Sequence, residues 1–247
     1  MKPTLLLLAL AAALCAQTPA PDTSDAAKLK ATLDRQTAQL KDWPNLNRYR
    51  ADNAKVAPLA AGEERVVFMG DSITDGWGRR YGKFFTGKPY INRGISGQTT
   101  PQMLLRFRAD VIDLHPKVVV ILAGTNDISG NTGPMTLEET EANLMSMAEL
   151  ARANGIRVVL SALLPTCDYI RPQTERRPNE KIRELNTWMR GYAAGTGAVY
   201  LDYFTPSLDD QQVLKKELTY DGLHPNEAGY EVMGPLAQKA IDAALAK

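Results

Sequence analysis

Two histidines in 247 residues leave little choice of a base: His115 in Asp113-Leu114-His115-Pro116 and His224 in Asp221-Gly222-Leu223-His224-Pro225. An imidazole that accepts a proton works best when an acid on its far nitrogen fixes the tautomer and stabilises the imidazolium. Asp221 stands three residues before His224, close enough for a short turn to bring its carboxylate to one ring nitrogen. The bland alternative is an Asp-Gly turn with a capping carboxylate. The candidate nucleophile is Ser72 in Gly70-Asp71-Ser72-Ile73-Thr74. A serine hydroxyl needs a neighbouring base to become reactive, and the competing reading is a serine that caps a helix.

A serine and a histidine suffice for acyl transfer only if donors meet the charge that develops on the carbonyl oxygen. Two segments offer them: Asn92-Arg93-Gly94-Ile95-Ser96-Gly97-Gln98-Thr99 and Gly124-Thr125-Asn126-Asp127. In the first, Gly94 or Gly97 could present a backbone amide, because glycine lets the main chain approach a ligand closely. In the second, Asn126 offers a side-chain amide. Each segment alone is an ordinary turn composition.

The elements around these residues give the set its weight. Apolar runs at Val66-Val67-Phe68, Tyr90-Ile91, Val118 to Leu122, Val158-Val159-Leu160 and Val199-Tyr200-Leu201 alternate with helical patterns near 100–114, 136–154, 175–194 and 226–245. Strands that are apolar throughout need cover on both faces, and parallel strands need crossovers. The alternation therefore predicts an α/β fold: a three-layer α/β/α sandwich, flavodoxin-like, with a five-stranded parallel sheet. In such sheets ligands bind beyond the carboxyl ends of the strands. Ser72, Gly94 and Gly97, Asn126 and His224 all follow strands, whereas His115 precedes the third strand and belongs to the opposite end. Pro225 holds His224 in a loop at the start of the last helix.

Taken together, these blocks resemble the SGNH, or GDSL, hydrolase superfamily, whose four blocks supply Ser, Gly, Asn and His in that chain order. Here they correspond to Ser72, Gly97, Asn126 and His224 over residues 65–245. The resemblance implies a Ser72, Asp221, His224 catalytic set and an oxyanion hole of the Ser72 amide, the Gly97 amide and the Asn126 side chain. Gly97 is preferred to Gly94 because it precedes Gln98-Thr99, as the family's glycine precedes its polar pair. The strings at 70–77 and 122–127 are similar in particular to the catalytic-subunit branch of platelet-activating-factor acetylhydrolase. Ile73 stands where the family more often has leucine. The Gly-x-Ser-x-Gly elbow of ordinary α/β-hydrolases is missing. A zinc site would want ligands that two separated histidines do not provide, so neither metal nor cofactor is expected.

The remaining sequence bounds where such a hydrolase would act. Lys2 followed by the apolar run Leu5 to Ala16 reads as a signal peptide over 1–20, too short to span a bilayer. The expectation is export to the periplasm or the extracellular space; Leu14 before Cys15 argues against lipoprotein anchoring at Cys15. Residues 21–64 read as a linker and a helical extension, with Ala26, Leu29, Leu33 and Leu40 on one stripe and a second short helix near 46–56. The catalytic domain is placed at 65–247. Lysine and arginine number 29 against 28 acidic residues, and no basic stripe with interleaved aromatics occurs. Nucleic acid is therefore not an expected partner. Stable membrane insertion is not expected either, and the expected partner is a small-molecule or carbohydrate ester. Exported ester hydrolysis with a short acyl group, acetyl foremost, is the expectation for function. Lysophospholipase, thioesterase or acyltransferase chemistry on the same residues, and a non-catalytic carbohydrate-binding relative, are the alternatives.

Overall fold

A computed structural model describes residues 23–247. The expected signal peptide over 1–20 and Cys15 lie outside the described residues. The chain divides after Lys41 into two compact units. In the first, helix α1, Thr23–Lys41, forms where the apolar stripe predicts one. It carries the ion pairs Lys28–Asp25 and Lys30–Asp34 at helical spacing.

The second unit spans Asp42–Lys247. Segment 42–64, read from the sequence as part of an extension, is held there by polar contacts to later elements. The carbonyls of Trp43 and Pro44 accept from Gln102 and Gln98. Tyr49 is buried and its hydroxyl donates to the Gly94 carbonyl. Helix α2 is only Arg50–Asn53, shorter than the helix expected near 46–56. No hydrophobic stripe in that stretch foretold these contacts, because they are single polar ones made by the Trp43 and Pro44 carbonyls and by the side chains of Tyr49 and Asn53.

Strand β1, Val66–Gly70, leads through the short helix α3, Ser72–Gly76, to strand β2, Tyr90–Gly94. Helix α4, Thr100–Asp110, follows, and a 3-10 turn at Ile112–Leu114 precedes strand β3, Val118–Leu122. Helices α5, Thr125–Ile128, and α6, Leu137–Ala153, come next. Strand β4, Arg157–Ser161, helix α7, Asn179–Thr196, strand β5, Val199–Leu201, and helix α8, Glu227–Leu245, complete the unit. The five strands form one sheet in the order β2-β1-β3-β4-β5, with every pairing parallel. All five residues of β1 and of β3 are buried, as strands covered on both faces require. Helix α4 packs beside α6 and α6 beside α7, while α8 lies along β3, β4 and β5 as the other layer. The three-layer α/β/α sandwich is thus the observed architecture.

Two details of this frame position the site. The register aligns Gly70 with Gly94 on one side and with Leu122 on the other, so three strands end at one level. Helix α7 starts at Asn179, four residues later than its pattern suggested, with Pro178 at the N-cap, where its missing N–H does not carry the cost it would inside a helix. The freed stretch remains a loop over the ends of the strands.

A single buried cation ties those ends together. Arg106 on α4 is fully buried and donates to the Gly70 carbonyl at 3.1 Å and the Arg93 carbonyl at 2.8 Å. It also donates to Gln98 Oε1 at 2.6 Å and to Asp110 Oδ2 at 3.0 Å. Arg106→Leu leaves all four acceptors, one of them a buried carboxylate, without that donor. A loss of roughly 3 to 5 kcal/mol of unfolding free energy is expected, measured by urea denaturation; a change below about 1 kcal/mol, the scale of an ordinary surface pair, would refute this role.

Candidate active site

The turn after β1 is built for a side chain at its tip. Gly70 admits no side chain, since a Cβ there would lie 2.1 Å from Thr74 Oγ1. Asp71 is the N-cap of α3, its carboxylate accepting from the Ile73 amide at 3.0 Å. Ser72 is therefore the first helical residue, and the capping role open to it from sequence belongs to Asp71. Burial pushes the Asp71 carboxyl up to about 6, only partly offset by the Ile73 amide.

Ser72 Oγ lies 2.9 Å from His224 Nε2. On the far side of the ring, His224 Nδ1 lies 2.8 Å from Asp221 Oδ2. The other carboxylate oxygen, Oδ1, accepts from the backbone amides of His224 at 2.8 Å and Leu223 at 3.1 Å. Burial alone would raise the Asp221 pKa, but hydrogen bonds from the His224 ring and those two amides outweigh it and hold it at about 2. The turn that makes this possible needs Gly222, whose φ is +91° and whose Cβ would stand 2.3 Å from the Cys167 carbonyl. Thr219 closes the loop, its hydroxyl donating to the His224 carbonyl at 2.7 Å and accepting from the Gly222 amide at 2.9 Å. Tyr220 lies nearly parallel to the imidazole, with centroids 5.6 Å apart and 11° between planes.

The two glycines of the second block have different tasks. The Gly94 amide is already used, donating to Asn92 Oδ1 at 2.9 Å, and its Cα packs so closely on α3 that a Cβ would lie 2.1 Å from the Asp75 nitrogen. Gly97 has φ +81°, and its amide has no acceptor among the described residues. Its carbonyl accepts from Asn131 Nδ2 at 3.1 Å. Asn126, on α5, is buried, and its Nδ2 donates to the Gln98 carbonyl at 3.0 Å and, more weakly, to Asp71 Oδ2 at 3.5 Å. Its Oδ1 accepts from Arg177 Nη2 at 3.4 Å, which orients the amide with nitrogen toward Gln98. The next residue, Asp127, turns away to bind the Thr100 amide and hydroxyl at the start of α4.

Ser72, Gly97, Asn126 and His224 line one cleft of about 570 Å³ at the carboxyl ends of the strands. His115 is not among them. It is exposed, at φ +52°, where the 3-10 turn hands over to β3. Arg80, Arg177 and Tyr220 also line the cleft and were not singled out from the sequence. Arg177 fell inside a stretch whose pattern reads as helix, so nothing local marked it. Among the described residues no cluster of His, Cys, Asp and Glu could hold a metal ion. Chemically, the arrangement supplies a hydroxyl, a base in a fixed tautomer, and donors beside the place where an acyl oxygen would sit.

Comparison with known proteins agrees with the chemistry of this cleft. Residues 68–232 match the GDSL-like lipase/acylhydrolase family. The crystal structure of a GDSL-like lipase from Bacteroides thetaiotaomicron is 44% identical, covers 81% of this chain and 98% of its own, and superposes with a TM-score of 0.76. An acetylxylan esterase of Geobacillus stearothermophilus is 25% identical over 204 residues, 69% of this chain and 90% of that protein. An uncharacterized lipoprotein of Bacillus subtilis, YqeF, is 31% identical over 121 residues, 42% of this chain, and the match spans only 50% of that relative's length.

The Asp221 environment makes a stability prediction. Its folded pKa of about 2 lies below the ordinary value of about 3.9. The carboxylate therefore adds stability that is fully present above about pH 4 and is lost as pH falls toward 2. Melting temperatures of wild type and Asp221→Asn should differ most above about pH 4 and converge toward about pH 2. A gap that stays constant across that window would mean that Asp221 is not held ionised by its partners.

Proposed function

The chain belongs to the GDSL-like lipase/acylhydrolase family, and from that premise we propose that it removes short O-acyl groups, acetyl foremost, from carbohydrate through a Ser72 acyl-enzyme. The observation that carries this reading is the continuous hydrogen-bonded path from Ser72 Oγ through the His224 ring to Asp221, open to a cleft.

In this reading Ser72 Oγ attacks the acyl carbon while His224 Nε2 takes its proton, and Asp221 stabilises the resulting imidazolium. The carbonyl oxygen becomes an oxyanion facing the Ser72 and Gly97 amides and the Asn126 side-chain amide, whose weak 3.5 Å bond to Asp71 it would replace. Collapse expels the alcohol, which receives the proton from His224. Water then repeats the sequence on the acyl-enzyme and releases the acid. Were a sugar hydroxyl to replace that water, the same residues would perform acyl transfer; product analysis with an added alcohol distinguishes the two.

A short acyl group fits the walls of the cleft, where the apolar surface of Tyr81, Tyr220, Leu223 and Tyr230 is interrupted by Arg79, Arg80, Arg177, Asp75, Ser96 and Asn131. A long chain would need a continuous apolar groove to repay its removal from water. The acetylxylan esterase relative supports acetylated carbohydrate. The strings at 70–77 and 122–127 support a place near the platelet-activating-factor acetylhydrolase branch, and the signal-peptide pattern supports export.

On p-nitrophenyl esters of increasing length, kcat/KM should peak at acetate and fall by about tenfold or more by octanoate, as loss of a few well-placed contacts implies. A maximum at long chains would favour the lysophospholipase or thioesterase alternative. Ser72→Ala should abolish turnover with the fold intact. Asn126→Asp replaces a donor by an acceptor at constant shape, so kcat should fall roughly a hundred- to a thousandfold with KM little changed. A stable, fully active Asn126→Asp enzyme would remove Asn126 from the oxyanion hole.

A further inference from the structure

The cleft is cationic in a chain that is almost neutral. Lysine and arginine exceed aspartate and glutamate by 29 to 28, yet Arg79, Arg80 and Arg177 all line the cleft, and Asp75 is the acid among its lining residues. Asp75 is already engaged. It accepts from Arg79 at 2.8 Å and from the Ser96 hydroxyl at 2.7 Å, and Arg48 stands 3.9 Å away.

The remaining guanidinium groups meet neutral oxygens only. Arg80, exposed beside the catalytic histidine, donates to the Tyr220 hydroxyl at 2.8 Å and lies over that ring at 5.7 Å. Arg176, exposed on the loop before α7, donates at 3.4 Å to Oδ1 of Asn131, another lining residue. Arg177 donates to Asn126 Oδ1 and Gln173 Oε1, and no carboxylate among the described residues pairs with any of the three. Arg177 is 6% exposed, with its Nε buried and without a partner. Burial of an arginine with no carboxylate at ion-pair distance is costly, and the Asp71 and Asp221 carboxylates favour the Arg177 charge only from farther off. A transition-state oxyanion is one charge with donors of its own. Three unpaired guanidinium groups around the mouth fit an anion carried by the substrate, and their planar forks match the oxygens of carboxylate or phosphate.

We infer that the cleft selects acyl esters whose alcohol part carries an anionic oxyacid group, a carboxylate or a phosphate, recognised by Arg80, Arg176 and Arg177. This rests on the ester-hydrolase reading and specifies its substrate. An O-acetylated sugar acid or sugar phosphate would place its ester at Ser72 and its anion among the arginines. The anion is present in the ground state, so the gain should appear chiefly in KM.

The test compares kcat/KM on three matched esters: O-acetyl methyl glucuronoside, the same compound with its carboxyl group methylated, and O-acetyl glucose 6-phosphate. At low ionic strength at least one anionic ester should exceed the methylated compound by about tenfold or more, with the ratio shrinking in about 0.5 M salt. Arg80→Gln and Arg176→Gln, both at exposed positions, should bring that ratio toward unity. Preference for the uronate or for the sugar phosphate identifies the source of the anion. Equal turnover of all three esters, or a ratio unmoved by either substitution, overturns the inference. So does hydrolysis of p-nitrophenyl acetate with none of the three sugars cleaved, an outcome that leaves the esterase reading standing. Failure on p-nitrophenyl acetate as well would remove both.

Discussion

Arg106 is the constraint on which the site depends. A fully buried guanidinium must have its donors satisfied, and here the acceptors are the carbonyls at the ends of β1 and β2, the Gln98 side chain and Asp110. Satisfying one side chain thus fixes the strand end that launches Ser72 relative to the loop that carries Gly97. Gln98 extends the link: its carbonyl accepts from Asn126, and its side-chain nitrogen donates to the Pro44 carbonyl. A nucleophile, a backbone donor and a side-chain donor come from separate elements and are brought to a common level by one cation and one glutamine. Preorganisation of that kind lets donors act on a developing charge without reorganising during the reaction.

The base reaches this assembly from the other end of the chain, and a second set of contacts holds it there. Thr219 and Asp221 between them bind the main chain of the loop from Asp221 to His224, so the imidazole has little freedom. Asn226 caps α8, accepting from the Gly229 amide, while its side-chain nitrogen donates to the Glu217 and Thr219 carbonyls. Tyr230, one turn into α8, donates to the Ile73 carbonyl at 2.7 Å and packs against Trp77. The helix that follows the histidine is in this way bolted to the helix that begins with the serine. Side chains 152 positions apart are held at 2.9 Å by contacts on both flanks rather than by their own hydrogen bond.

Electrostatics in the cleft divide along the same lines. Asp221 keeps its charge because protein donors replace the water it lost, whereas Asp71, buried with fewer donors, is driven toward its neutral form. The arginines of the cleft are compensated less closely: Asp71 and Asp221 favour the charge of Arg177, and Asp221 that of Arg80, but their hydrogen-bond partners are neutral oxygens of Tyr220, Asn131 and Asn126. The reacting centre is therefore balanced within the protein, and the mouth is left positive toward whatever enters.

Much of this was legible in the residues themselves. Five apolar runs alternating with helical patterns, the first and third buried throughout, specified parallel strands, and Ser72, Asn126 and His224 were placed on the functional side simply by following strands. The two histidines separated on the same ground, His115 before a strand and His224 after the last. Other features left no local mark. The work of Gly94 and Gly97 differs only because Asn92 takes one amide and the chain turns the other outward, a choice made by hydrogen bonds in three dimensions. Residues 42–64 are held to later elements by the Trp43 and Pro44 carbonyls and by isolated polar side chains, Tyr49 and Asn53, which no periodic pattern records. Arg106 and Arg177 look like any helix-face arginines until burial is known. Periodicity and residue type determined the elements, their order and the chemistry available at their ends. Which amides stay free, which charges lose their water and how distant loops converge were decided only by the tertiary structure, because desolvation and hydrogen-bond partnership are properties of neighbours in space.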